Sequence, residues 1–405
     1  MKLNKAPGLD GLSVEFYRKF WNNLKILITT VFNFNYERGQ LSNSQKIGTI
    51  SLIFQKNYPL SLGNYRPITL LNTDTKLLAY TIAQRHKEVL PSIIHSDQKG
   101  YAKNRYIGFN IRQIQDVIDH SEKFNIEGAI LFLDFTKTFD SLELSFMTEC
   151  LEKFGFKSSF IRWIRTMYTD IKGCILNNRW VPAPFMVFRG IRQGFPASAL
   201  IFVFAVEIMA IKLRETKQVK VIEIKLNNTT GNLQICQLAD DTILFLKSKH
   251  EITIAMNIIE EFGNLSGLKL NKNKTEGIWL GRLKHTRDKY ENISWTNDPV
   301  KNLAVYFGYN KTQCDKLNYE KQINKCKTII KIGRITVFKS LILPNITFIG
   351  SCTIIPKEYI QTFKNIVCEF LWKGKKDPVK RSVLSNDYLE GGLKMTNIDI
   401  YIKAL

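Results

Sequence analysis

The chain is short of acid. Its 58 lysines and arginines face only 36 aspartates and glutamates, giving a formal net charge of +22 and a pI near 9.6. That excess is too basic for a typical cytosolic metabolic enzyme and fits a partner with a phosphate backbone. Zinc and disulfide chemistry are also poorly provided for. The 7 cysteines, at Cys150, Cys174, Cys236, Cys314, Cys326, Cys352 and Cys368, form no Cys-x-x-Cys pair and have no histidine at zinc-ligating spacing. This excludes a zinc finger and argues for buried thiols in a reducing compartment. No signal peptide opens the chain, and the apolar helix near Ala199 is broken by Glu207 and too short to cross a bilayer. No membrane partner is expected, and residence inside the cell follows. Internal repeats and low-complexity tracts are absent.

Apolar residues, in contrast, are plentiful. At 405 residues and 44% hydrophobic content the chain can bury a sizeable core, divided among two or three subdomains. Two apolar runs carry acids: Ala129-Ile-Leu-Phe-Leu-Asp-Phe135 ends on Asp134, and Gln234-Ile-Cys-Gln-Leu-Ala-Asp-Asp-Thr-Ile-Leu-Phe-Leu246 holds Asp240 and Asp241. Both runs read as buried strands, and the Asp-Asp step falls where a hairpin would turn. Carboxylates beside such strands are costly unless paired, hydrogen-bonded or metal-bound. A divalent metal site explains all three; an Asp-Asp pair that merely caps a turn is the other reading. Oxygen-only ligands favour Mg²⁺ or Mn²⁺ over zinc.

Between the two runs, Arg189-Gly-Ile-Arg-Gln-Gly-Phe-Pro-Ala-Ser-Ala-Leu200 combines glycines, which let a backbone approach a ligand, with arginines suited to phosphate. At this point the chain resembles the reverse transcriptases of LINE-type, non-LTR retrotransposons. The resemblance rests on an ordered series. Lys5-Ala-Pro-Gly-Leu-Asp-Gly11 and Asn64-Tyr-Arg-Pro-Ile-Thr-Leu-Leu71 look like fingers signatures, and Gln98-Lys-Gly-Tyr-Ala-Lys-Asn-Arg105 looks like the segment before the palm. Leu133 to Ser141 resembles motif A, Arg189 to Leu200 motif B, Leu238-Ala-Asp-Asp241 motif C and Ser266 to Glu276 motif D. Val305-Tyr-Phe-Gly308 stands where a primer grip would be, and Phe370 to Lys375 and Gly391-Gly-Leu-Lys-Met395 look like the stretch after the thumb.

The resemblance implies an α+β right-hand polymerase: fingers in 1–125, a palm with an antiparallel sheet in 126–285, and a helical thumb with the start of a connection region in 286–405. It implies an RNA-directed DNA polymerase that uses an RNA template, a DNA primer, deoxynucleoside triphosphates and two Mg²⁺ ions, with Mn²⁺ as the alternative. Asp134, Asp240 and Asp241 would be the metal ligands, joined by the carbonyl of Phe135. Such ions, about 3.5–4 Å apart, activate an attacking hydroxyl and neutralise a leaving pyrophosphate. Phe139 falls at the aromatic gate against a ribose 2′-hydroxyl; an ordinary core aromatic is the other reading. Arg66, assisted by Lys56, would contact the triphosphate. Gln193 and Gly194 would lie against nucleotide and template, and Lys274 would be the general acid.

Periodicity gives the remaining expectations. Helices are predicted over Leu12 to Phe34, Tyr80 to Leu90, Leu142 to Phe154, and Ser158 to Met167 with Ser158 as N-cap; a hairpin spans Ile50 to Ile68, and strands around a turn span Cys174 to Phe188. Another helix opens at Pro196 and runs to about Ala210. Ile252 to Leu265 reads as a helix with Ile254, Ile258, Phe262 and Leu265 on one face, stopped by Gly267. Beyond Leu280, Tyr319, Ile323 and Ile330, then Val337, Phe338 and Leu341, mark apolar faces among Lys321, Lys325, Lys327, Lys331 and Arg334. Trp21, Tyr101, Tyr106 and Trp372 sit among basic residues, a pattern compatible with stacking on bases.

Departures from the family pattern occur at Thr136, Thr138, Phe195, Ala197, Ala199 and Leu238, and Gln55-Lys-Asn-Tyr-Pro59 lacks the usual Gly-Asp turn. None removes a metal ligand, so chemistry remains possible, while together the departures mark a drifting copy. The chain starts at the first fingers motif and stops before any zinc knuckle, so neither the endonuclease nor self-mobilisation is expected of it. The rival reading is a catalytically inert remnant that only binds nucleic acid.

Overall fold

The computed structural model describes all residues except 56–57, 177–179, 181, 227–228, 287–289, 330–339, 341–342, 373–382, 387–394 and 404–405. Two compact units emerge, each assembled from separate stretches. The first comprises Met1–Arg105, Leu131–Thr275 and Tyr290–Ser294; the second comprises Tyr106–Ile130, Glu276–Lys289 and Trp295–Leu405.

In the first unit, α1 (Val14–Lys19) and α2 (Trp21–Arg38) meet at Phe20, and the short α3 (Asn43–Lys46) leads into β1 (Ile47–Phe54), β2 (Tyr65–Leu70) and the long α4 (Thr73–Ile93). Helix α2 buries only Asn35, whose side-chain amide donates to Gln45 Oε1 at 2.7 Å. Helix α5 (Ile107–Phe124) belongs to the second unit. After β3 (Gly128–Leu133) come α6 (Thr138–Ser141), α7 (Leu144–Lys153), α8 (Ser158–Tyr168), β4 (Lys172–Leu176) and β5 (Phe185–Met186). One sheet has the order β2-β1-β4-β5, with β1 antiparallel to β2 and parallel to β4.

The centre of the unit is α9 (Ser198–Glu215), buried over most of its circumference, as an apolar helix must be when its neighbours surround it. It packs against α4, α7 and α10 (Lys249–Ser266). Hairpin β6 (Ile222–Leu226) and β7 (Thr229–Leu233) precedes the antiparallel pair β8 (Ile235–Leu238) and β9 (Asp241–Leu246). Strands β3, β9 and β8 are neighbours in that order, and β3 is buried along its whole length.

The second unit adds β10 (Glu276–Leu280), β11 (Ser294–Trp295), the hairpin β12 (Val300–Asn302) and β13 (Val305–Phe307), and α11 (Lys311–Ile329). Leu303 and Ala304, at the β12–β13 turn, are both left-handed, with φ of 48° and 65°. Such a pair gives the twist a two-residue hairpin needs. Tyr319 and Ile323 of α11 pack with Ile346, Ile349, Phe363 and Val367 in a buried cluster.

Three local expectations change. Lys157, not Ser158, is the N-cap of α8, and no side chain caps it. Leu265 is 68% exposed: the buried face of α10 uses Ala255, Gly263 and Ser266 beside Ile258 and Phe262. Gly263 is required there because a Cβ would sit 2.8 Å from the Leu268 carbonyl oxygen. The apolar helix begins at Ser198 and continues to Glu215. Ile330, Val337, Phe338, Leu341, Lys331 and Arg334 lie outside the described residues, as does most of Phe370 to Lys375 and Gly391 to Met395.

Candidate active site

Asp134 is the first residue past β3, and its backbone is stitched to the loop after α10. Its amide donates to Thr275 Oγ1 at 3.3 Å, its carbonyl accepts from Asn271 at 2.7 Å, and Thr136 N–H donates to the Lys269 carbonyl at 2.8 Å. Phe135, buried, bridges to Leu270. Lys274 N–H bonds the Asn271 carbonyl at 3.0 Å, so the same loop carries this lysine beside Asp134.

Leu238 faces Asp241 across the β8–β9 register, leaving Ala239 and Asp240 as the turn. Ala239 is left-handed, with φ of 56°, an uncommon state for a residue with a Cβ. Two residues of the preceding segment account for it. Gln98 Oε1 accepts from Ala239 N–H at 2.8 Å while Gln98 Nε2 donates to the Ala239 carbonyl at 3.3 Å. Gly100 leaves the space, since a Cβ there would lie 2.5 Å from Ala239 N. The carboxylate itself is steered by Thr138, whose hydroxyl donates to Asp240 Oδ2 at 3.1 Å.

The loop before α9 closes over the other side. Gly190 has φ of 86°, and a Cβ would meet the Asp140 carbonyl oxygen at 2.7 Å. Its N–H bonds the Leu142 carbonyl at 2.8 Å. Gln193 Nε2 donates to Asp140 Oδ1 at 3.2 Å, and its carbonyl accepts from Thr69 of β2 at 2.8 Å. Gly194, with φ of 100°, would press a Cβ to 2.8 Å from the Thr69 carbonyl oxygen.

These segments enclose a groove of about 790 Å³ whose lining includes Arg66, Phe139, Gln193, Gly194, Asp240 and Lys274, with Tyr101 at its side. Arg66 is exposed, and Phe139 is half-buried and stacked on Phe202 at 5.0 Å and 17°. Asp134 and Asp241 adjoin Asp240 electrostatically. Burial raises the Asp134 carboxyl above its usual range; Lys274 pulls it back and Asp240 raises it further. Asp241 is pushed up to about 6 by crowding and by the charges of Asp240 and Asp134, although its surface stays exposed and water screens part of the repulsion. Three oxygen-donor acids that repel one another suit a hard divalent cation. Among the described residues, no three His, Cys, Asp or Glu side chains are already gathered at metal-holding spacing.

Lys56 lies outside the described residues. Arg192 is buried, and its Nη2 donates to the backbone carbonyls of Lys46 and Lys172, tying the start of β1 to the start of β4. Burial lowers its pKa to about 10. Trp21, Tyr101 and Tyr106 are exposed; Tyr106 bonds Ser351 through its hydroxyl, and the Trp372 side chain lies outside the described residues.

Comparison with known proteins agrees with this geometry. A telomerase from Candida tropicalis, solved with a fragment of telomeric RNA, superposes with a TM-score of 0.50 at 15% identity, covering 90% of this chain and 59% of that one. The fold is that of a right-hand polymerase domain. Residues 54–310 match the family described as reverse transcriptase (RNA-dependent DNA polymerase). The chain belongs to the reverse transcriptase family, in its LINE-type, non-LTR branch. A 149 kDa protein of transposon TX1 from Xenopus laevis is 29% identical over 97% of the chain, and a Pol polyprotein of the type-2 retrotransposable element R2DM from Drosophila melanogaster is 25% identical over 69%. The chain spans only 30% and 25% of those two relatives' lengths.

Proposed function

We propose that the chain is an RNA-directed DNA polymerase that adds deoxynucleotides to a primer 3′-hydroxyl on an RNA template. The observation that carries this reading is the convergence of Arg66, Phe139, Gln193, Asp240 and Lys274, from five separate stretches of sequence, on one groove. Asp134, Asp240 and Asp241, with the Phe135 carbonyl, are the groups that would hold divalent ions; bound ions would supply charge neutralisation at the triphosphate and a more acidic primer hydroxyl.

The chain's own side chains divide the remaining work. Arg66, exposed and planar, offers a fork to phosphate oxygens. Gln193, held by Asp140 at 3.2 Å, presents a fixed edge to the nucleotide. Phe139, backed by Phe202, presents a flat wall where a sugar would lie. Lys274, exposed at the groove, can deliver a proton to a departing phosphate oxygen. In this reading 1–125 act as fingers, 126–285 as palm and 286–405 as thumb, and the +22 charge holds the template and primer. No described helix is long and apolar enough to cross a membrane. Cys150, Cys174, Cys236, Cys314, Cys352 and Cys368 are buried and, among the described residues, form no disulfide, in keeping with a reducing compartment.

Primer extension on RNA with a DNA primer, deoxynucleotides and Mg²⁺ tests the reading, with Asp240→Asn as control. Extension by the parent chain alone is expected. A folded chain that binds template and primer but extends nothing would instead be an inert remnant.

A further inference from the structure

We infer that Gln98 is the positioning residue of the Asp240–Asp241 hairpin, holding its turn by both ends of one side-chain amide. The inference rests on the proposed role of Asp240. Gln98 is fully buried and spends its amide locally: Oε1 accepts from Ala239 N–H and from Gly100 N–H, each at 2.8 Å, and Nε2 returns a bond to the Ala239 carbonyl at 3.3 Å. No hydrophobic residue could do this, because the turn presents a donor and an acceptor in a buried setting where an unmet polar group is costly.

The backbone repeats the grip. Lys99 N–H donates to the Gln237 carbonyl at 2.8 Å and Gln237 N–H to the Asp97 carbonyl at 3.1 Å, so the 97–99 segment joins β8 through one parallel bridge at Gln98 and Gln237. That segment is itself anchored. The Arg105 guanidinium donates to the carbonyls of Pro91, Ile94, His95 and Gln98, closing the end of α4, and Arg214 of α9 pairs with Asp97 at 3.4 Å. Gln98 is therefore a fixed hand, and Ala239 is the strained residue it holds one peptide before Asp240.

Four readouts on the full chain test this: hydrogen–deuterium exchange at the Ala239 amide, Mn²⁺ binding by electron paramagnetic resonance, primer extension against metal concentration, and template–primer affinity. Gln98→Leu is expected to speed exchange at Ala239 at least tenfold and to weaken Mn²⁺ binding at least tenfold, with template–primer affinity unchanged. Gln98→Glu keeps the acceptor but loses the donor to the Ala239 carbonyl, and is expected to fall between the parent chain and Gln98→Leu both in exchange at Ala239 and in Mn²⁺ binding. Gly100→Ala, whose Cβ would lie 2.5 Å from Ala239 N and 2.8 Å from Gln98 Oε1 and so wedge the two apart, is expected to behave like Gln98→Leu and carries the test if Gln98→Leu does not fold. Unchanged exchange at Ala239 in the folded variants overturns the inference. If exchange accelerates as expected while the parent chain neither binds Mn²⁺ nor extends a primer, the polymerase reading fails and the hold on the hairpin stands.

Discussion

The two hairpins that meet at the groove are built in opposite ways. The β8–β9 hairpin is sunk in the sheet, with Ile243, Leu244, Phe245 and Leu246 at 0 or 1% exposure and its turn gripped from Gln98 and Thr138. The β1–β2 hairpin stands open: Ile53 is 53% exposed, Leu60 81% and Leu62 79%, and Arg66 projects from it into the groove. A site that must align charges within fractions of an ångström needs the first construction. One that must take in a large flexible substrate and let it go is served by the second. Under the proposed polymerase function, fixed floor and open rim are two halves of one task.

The contrast can be broken at the floor with the largest effect. Asp134→Asn is expected to lower primer extension at least ~1,000-fold, about 4 kcal/mol of barrier, while gel-shift affinity for template and primer stays at the parent value. Retained synthesis would mean that the floor does not carry the chemistry. Gly190→Ala comes next. It forces a side chain into a left-handed position against the Asp140 backbone and is expected to destabilise the first unit by roughly 3 kcal/mol in urea denaturation.

Acid should attack the packed side rather than the rim. His86 of α4 is boxed by Phe156, Phe160 and Phe204, and neither ring nitrogen has a partner among the described residues. Burial lowers its pKa from 6.5 to about 4. The neutral ring is the folded form, so its full contribution stands above pH 6.5 and drains away as pH falls toward 4. By pH 5 the loss is about 2 kcal/mol, and His86→Phe should remove that portion of the acid sensitivity. Equal acid sensitivity in the two proteins would discard the assignment. Smallest is the rim itself: Arg66→Ala is expected to raise KM for deoxynucleotides about tenfold, near 1.4 kcal/mol, without moving the urea midpoint. Arg192→Leu should do the reverse, destabilising the unit through the lost β1–β4 clamp.

The acids were legible because a carboxylate in a strand-length apolar run contradicts its surroundings, and Asp134 and Asp240 each stand at such a contradiction. Arg189 and Arg192 were not separable, since three residues apart in one glycine-rich loop nothing in the sequence says which side chain turns inward. Gln98 was hidden for a different reason: its partner is a backbone turn 141 residues away, and backbone groups have no signature in sequence. The face of α10 was misjudged at Leu265 because its tight contacts are made by Ala255, Gly263 and Ser266, which a count of large apolar residues passes over. Left-handed Ala239 carries no glycine to announce it, so the strain at the turn was invisible as well.

The β2-β1-β4-β5 order also bears on how the chain is made. Strand β1 can zip to β2 as soon as both leave the ribosome, but its parallel partner β4 begins at Lys172, more than a hundred residues downstream. At ordinary translation rates that interval is on the order of ten seconds, during which one edge of β1 offers unpaired backbone groups to any passing strand. Arg192, which ties the carbonyls of Lys46 and Lys172 together, emerges later still, so this latch can close only after both strands have been made.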